Sequence, residues 1–377
     1  MVAVRFRTEV LEKLIARNMK KILLTVAAAF AATLAFAQSP GEDTFIHPEL
    51  VGNRGRGEVK IPNIDGYITL KGDFHTHSVF SDGSVWPNMR VSEAWWHGLD
   101  ILAITEHIEY RPKKKYFNDS VDHNTSYEIA LEANKKKDLI IVPGAEVTRK
   151  KPFGHMNALF VTDANAADVK DPMQAIENML AQGAYILWNH PGWPDDLCTM
   201  YDLHKDLIKQ GKIKGVEIGN DVESYPIAYD WVEEYGLHPF ANSDIHGYIE
   251  EVFASRRPMT LVFAKERSLE GVKEAVFAGR TMSLTANNLV GKAEFMAPLV
   301  KECLKFEVYK DKDSYCVYKI TNNSDIRFII EVGNTVHMVE AKPGETVKVE
   351  IAKGQQVTFR NCFLGKGKYY SINQSEL

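Results

Sequence analysis

Six short apolar runs in this chain end or begin on a histidine or a carboxylate, and that recurrence limits what the chain can fold into. Tyr67-Ile68-Thr69-Leu70 leads into His75-Thr76-His77, with Ser81-Asp82-Gly83 just beyond. Later runs end on Thr105-Glu106-His107, Gly144-Ala145-Glu146, Asn189-His190-Pro191 and Asn242-Ser243-Asp244-Ile245-His246, and one begins at Gly154-His155. Alternate side chains of a strand share a face, so His75 and His77 aim two imidazoles at one point. One such pair alone more often belongs to a solvated loop; six strand ends of this kind do not. Polar groups set all round the strand ends call for a ring of strands, because an open sheet gathers them at a single switch point.

The spacing predicts strands near 67–74, 99–105, 139–143, 156–162, 184–189, 214–219 and 238–242. Helices are expected between them at 87–97, 124–136, 172–182, 201–210 and 226–235, with one more at 268–278. Strands alternating with helices imply βα units and a parallel sheet, here closed as a distorted (β/α)7 barrel over 67–292. Beyond residue 293 the pattern becomes short alternating runs, such as Leu304–Tyr309, Tyr315–Ile320, Arg327–Val332 and Thr346–Ile351, separated by turns. That reads as a small all-β sandwich-like domain over 293–377.

The first 37 residues do not read as fold. Met19-Lys20-Lys21, the apolar run Ile22–Phe36 and the small-residue end Ala35-Phe36-Ala37 form a signal peptide pattern, with Met19 as the expected start. A periplasmic or secreted location follows, with no membrane attachment after cleavage; an uncleaved anchor helix is the rival. Residues 38–66 are a Gly-, Pro- and charge-rich lead-in. Removing residues 1–37 takes away six bases and two acids, moving the formal charge from −5 to −9. Such a surface does not hold a nucleic-acid polymer by counterion release. Cys198, Cys303, Cys316 and Cys362 are too few for a disulfide scaffold and match no zinc motif, although one bridge in the C-terminal part is conceivable.

Imidazoles mixed with carboxylates suit two to three divalent ions of the zinc, manganese or iron type. One ion can be held by the paired histidines and two carboxylates. Glu146 can bridge to a second held by His155 and His190, which leaves Asp82, His107 and His246 for a third. Clustered ions clamp a phosphate oxygen and activate a water.

In its ordered motifs, from His75-x-His77 to Ser243-Asp244-x-His246, the chain resembles the PHP (polymerase and histidinol phosphatase) family over about residues 67–290. The resemblance implies a distorted (β/α)7 barrel that cleaves phosphoesters. It also implies His75, His77, Glu146 and Asp244 as ligands of one metal, with Glu146, His155 and His190 for the second. Asp82, His107 and His246 would take the third, and Glu146, His190 and Asp244 would act in catalysis through metal-bound water. Many members carry histidine in place of Asp82 and aspartate in place of Glu106. An exported barrel with a β-domain behind it is similar to secreted PHP phosphodiesterases.

Arg111, near His107, is a candidate phosphate grip, with His123, Trp193 and Arg256 or Arg257 as further substrate contacts. The expected activity is a metal-dependent phosphodiesterase acting on a small phosphoester. The alternatives are a phosphomonoesterase of scavenged phosphates, a non-catalytic binding protein, and a carbon–nitrogen hydrolase, which would want a lysine where Glu146 stands.

Overall fold

A computed structural model describes residues 52, 54–117, 122–333 and 338–377; residues 1–37, expected to be a signal peptide, and residues 38–51 and 53 of the lead-in lie outside the described residues. Gly55–Leu377 forms one compact unit. The rest of the lead-in is tied down: Asn63 accepts from Thr69 N, Thr69 Oγ1 donates to Pro62 O, and Gly57 N donates to Trp95 O.

The first strands are β1 (Ile68–Asp73), β2 (Ile101–Ile104), β3 (Ile140–Thr148), β4 (His155–Leu159), β5 (Tyr185–Trp188), β6 (Ile213–Asn220), the two-residue β7 (Glu223–Ser224) and β8 (His238–Asn242). Helices α1 (Pro87–Trp96), α2 (Thr125–Asn134), α3 (Pro172–Ala181), α4 (Asp202–Lys209) and α5 (Pro226–Glu234) fall where the apolar spacing places them. Their starts follow local chemistry. Proline opens α1, α3 and α5, where its missing N–H costs nothing, and Asp171 caps α3 by accepting from Met173 N.

The sheet is mixed where a parallel one is expected. β1–β2–β3 and β5–β6–β8 are parallel, but β4 runs antiparallel to both β3 and β5. A four-residue helix α6 (Ile249–Val252) precedes β9 (Met259–Ala264), α7 (Leu269–Phe277) follows it, and then come β10 (Thr281–Thr285) and β11 (Asn288–Val290). β9 pairs antiparallel with β1, and β10 with β9. The sheet curls: Leu70, Ile101, Val142, Leu187, Phe240 and Val262, from β1, β2, β3, β5, β8 and β9, share one buried cluster. Among the described residues no ladder joins β8 to β9. Thr260 Oγ1 takes that place, accepting from Ala241 N and donating to Ala241 O.

Residue 293 opens on a helix, α8 (Ala293–Cys303), before β12 (Leu304–Asp311), β13 (Tyr315–Asn322), β14 (Phe328–Val332), β15 (Met338–Ala341), β16 (Thr346–Ala352), β17 (Gln356–Gly365) and β18 (Lys368–Asn373). β12–β13–β16 form a separate antiparallel sheet, whereas β14, β15 and β18 join the large sheet through β17, which pairs with β11. Leu284 and Leu289 accordingly share a core with Phe328, Phe359 and Cys362. All four cysteines are free. Among the described residues no helix is long and apolar enough to cross a membrane.

Candidate metal centre

β1 ends at Asp73, but its alternation persists: Thr76 bridges to Ile245, and the side chains of His75 and His77 on either side are fully buried. The loop after His77 packs back so closely that a Cβ on Gly83 would stand 2.8 Å from the His77 carbonyl. This brings Asp82 over the strand ends. Four overlapping groups of ligand atoms result: His77, Asp82, His107 and His246; His75, His77 and Asp244; His75, Glu146 and His190; His107, Glu146 and His155.

The atoms converge as ligands do. His75 Nε2 lies 3.0 Å from His77 Nε2, and Asp244 Oδ1 is 3.1 and 3.0 Å from the two. Glu146 Oε1 stands 3.0 Å from His155 Nδ1, 3.6 Å from His75 Nε2 and 3.7 Å from His190 Nε2. Asp82 Oδ1 is 3.1 Å from His246 Nε2 and 3.5 Å from His107 Nε2.

Partners on the far side of several rings fix which nitrogen faces inward. Glu217 Oε1 accepts from His75 Nδ1 at 2.9 Å, and His246 Nδ1 donates to Asp244 O at 2.6 Å. His77 Nδ1 lies 3.3 Å from Ser81 Oγ, which donates to Glu106. With Nδ1 engaged in this way, each Nε2 presents its lone pair to the centre. His190 and Asp244 sit at φ 22° and 49°, backbone conformations that non-glycine residues rarely adopt and that recur at functional sites.

The electrostatics show crowded, mutually dependent charge. Burial acts to lower His107, but Glu146 and Asp82 beside it push it up to about 10. Burial and the neighbouring His107 push His77 down to about 3. Glu146 and Asp244 resist the upward push of burial and are held well below the carboxylate range by the imidazoles around them.

Whether the residues fit cations is decided by three oxygens. Asp82 Oδ1, Glu146 Oε2 and Asp244 Oδ1 are buried and have no hydrogen-bond donor in good geometry, only the ligand imidazoles crowded around them. A buried acceptor left so costs about 1–3 kcal/mol. All three face imidazole nitrogens, a donor set of nitrogen and oxygen that suits divalent ions. The residues fit the ions.

No family model matches the chain. A solved two-domain protein of Bacteroides vulgatus, described as containing a predicted PHP-like metal-dependent phosphoesterase, is 35% identical to it. The likeness covers 85% of this chain and 100% of that one, with a TM-score of 0.80. This chain belongs to the PHP family of metal-dependent phosphoesterases. An uncharacterized protein of Methanocaldococcus jannaschii is 27% identical over 208 residues, covering 50% of this chain and 88% of that one. The lesion-specific endonuclease Q of Pyrococcus furiosus is 17% identical over 56% of each chain, with a TM-score of 0.42.

All nine PHP ligand positions named from the sequence fall within the four groups of ligand atoms. The partition differs: His77 lies with the Asp82 group as well as with His75 and Asp244, Glu146 is in neither of those groups, and His155 and His190, expected to share one ion, fall in separate groups, each with Glu146. Trp193 lies against His155, ring centroids 4.8 Å apart, and lines the cavity over the site. Arg111 and His123 do not line that cavity. Arg111 Nε donates to Phe80 O, its guanidinium is 3.4 Å from His123, and His123 Nε2 is 3.5 Å from Asp168. Arg257 is buried, donating to Asp73 and Ser243, and Arg256 is also absent from the lining.

Glu217 is the residue that sequence reasoning missed. It is fully buried on β6, and besides His75 it accepts from His190 N, Asn220 Nδ2 and Asn242 Nδ2. The signal was there: one carboxylate set between Val216 and Ile218 in an apolar run.

Proposed function

We propose that this PHP protein is an exported phosphodiesterase of small substrates, with two to three zinc, manganese or iron ions held by the nine clustered residues. The observation that carries it is the set of buried carboxylate oxygens crowded against imidazole nitrogens, with Asp82 and Asp244 opening onto a cavity of about 740 Å3. The curled sheet is read as a distorted (β/α)7 barrel, since residues of β1 and β8 share its interior cluster. Export rests on the apolar run Ile22–Phe36 and the small residues after it.

Bound divalent ions supply Lewis acidity and lower the pKa of water. The protein supplies position. Glu217, Ser81 and the Asp244 carbonyl hold three imidazoles in one tautomer and orientation. Glu146, touching His75, His107, His155 and His190, ties the groups together and offsets positive charge between them. Water adds to phosphorus, the ester P–O bond breaks, and the alcohol leaves with one of the water protons, so that a phosphomonoester remains.

A diester is favoured over a monoester because, among the described residues, the lining of this cavity includes neither lysine nor arginine, although Arg149 and Lys151 line the adjoining pocket beside His155 and His190. A singly charged phosphate needs less cationic help than the dianion of a monoester. Hydrolysis of bis(4-nitrophenyl) phosphate, 4-nitrophenyl phosphate and a single-stranded oligonucleotide by metal-loaded protein tests this reading. Faster turnover of the simple diester supports it, and preference for the monoester or the polymer overturns it.

A further inference from the structure

The cavity above the metal centre has walls of unusual character for a site that takes an anion. Five carboxylates line it, Asp82 and Asp244 among the candidate ligands and Glu109, Asp221 and Glu223 beyond them, with no lysine or arginine among the described lining residues. Tyr110 and Trp193, each about half exposed at 54% and 53%, line the same cavity.

The upper carboxylates are not equivalent. Glu109 is engaged by Arg149 and accepts from Thr148 N, and Glu223 accepts from the Tyr225 hydroxyl at 2.8 Å. Asp221 Oδ1 is buried and has no hydrogen-bond partner. Its backbone is held at φ 50°, fixed by donation from Asp221 N to Asn242 O. An acceptor left without a partner at a cavity wall fits a donor that arrives with a ligand. Neighbouring carboxylates make a second anionic group on that ligand unfavourable, while aromatic faces accept the C–H face of a sugar or glycerol chain.

Resting on the phosphodiesterase reading, we infer that the cavity selects phosphodiesters of polyhydroxylated alcohols, glycerol or sugar esters, and that Asp221 accepts a hydrogen bond from a substrate hydroxyl. Alcohols ending in phosphate or carboxylate are excluded by the same wall. Asp221 is a specificity-determining residue. It takes no part in the displacement at phosphorus.

The test uses 4-nitrophenyl phosphodiesters whose second alcohol is glycerol, glucose or propanol, the last with no donor. The wild type is expected to show kcat/KM at least tenfold higher for a hydroxylated ester than for the propyl ester, and the glycerol and glucose arms tell which polyol fits. Asp221→Gly, which keeps the positive φ without strain, should collapse that ratio towards one, whereas Asp221→Asn, which keeps an acceptor and tolerates the same φ, should retain part of it. Calorimetric binding of glycerol phosphate against propyl phosphate should give the same order of affinities. No preference in the wild type, or an undiminished ratio in Asp221→Gly, overturns the inference while leaving the phosphodiesterase reading in place. Failure of the wild type to cleave any diester overturns both.

Discussion

Glu217 Oε1 lies 2.9 Å from His75 Nδ1, and both side chains are fully buried. A carboxylate behind a ligating imidazole fixes its tautomer and raises its basicity, and losing such a partner typically weakens metal binding about 10–100-fold. Glu217→Gln removes the charge while nearly keeping the volume. Competition with a chelator should show metal affinity lower by about that factor; affinity within twofold of wild type would mean that His75 is oriented by something else.

Glu146 is the residue that joins the groups, lying with His75 and His190 on one side and His107 and His155 on the other. Glu146→Gln exchanges one anionic oxygen for a donor that cannot bind a cation. Turnover of a diester should fall about a hundredfold or more, as when a preorganised transition-state contact is lost. Metal content should fall as well. Near-normal turnover would remove Glu146 from its bridging role.

The tail is woven into the sheet that carries the site, since β17 pairs with β11 and Phe328 and Phe359 share a core with Leu284 and Leu289. The sequence-based expectation, a separable sandwich, implies that a protein ending near residue 293 keeps some activity. The shared core predicts otherwise. Burial of Phe295, Leu299, Phe328, Ile330 and Phe359, at about 1.5–3 kcal/mol for each side chain, is comparable with the whole stability of a domain, about 5–15 kcal/mol. The truncated protein should be insoluble or lose its cooperative melt. A soluble, cooperatively folding product would show that the two parts are independent.

The candidate ligand positions were legible because histidines and carboxylates recur at or just beyond the ends of short apolar runs, where strand ends converge. The five helices between the strands were legible from their spacing and, in α1, α3 and α5, from the proline at the start. The direction of β4 was not. A short run such as Met156-Asn157-Ala158-Leu159 carries no sign of whether its neighbours lie parallel or antiparallel to it. Met259–Ala264 went unread for a related reason, being a short, fully buried run without alternation, which periodicity cannot assign. Arg111 illustrates the limit of proximity in sequence: four residues from His107, it turns to Phe80 and His123.

The most direct test of the account is to count metal in the metal-replete protein by elemental analysis while following hydrolysis of a diester, for the wild type and for the double variant His75→Ala, His77→Ala. The account predicts two to three divalent ions per chain in the wild type with measurable turnover, and loss of at least one ion together with turnover in the variant. One ion or none in the wild type, or full turnover by the double variant, would contradict it.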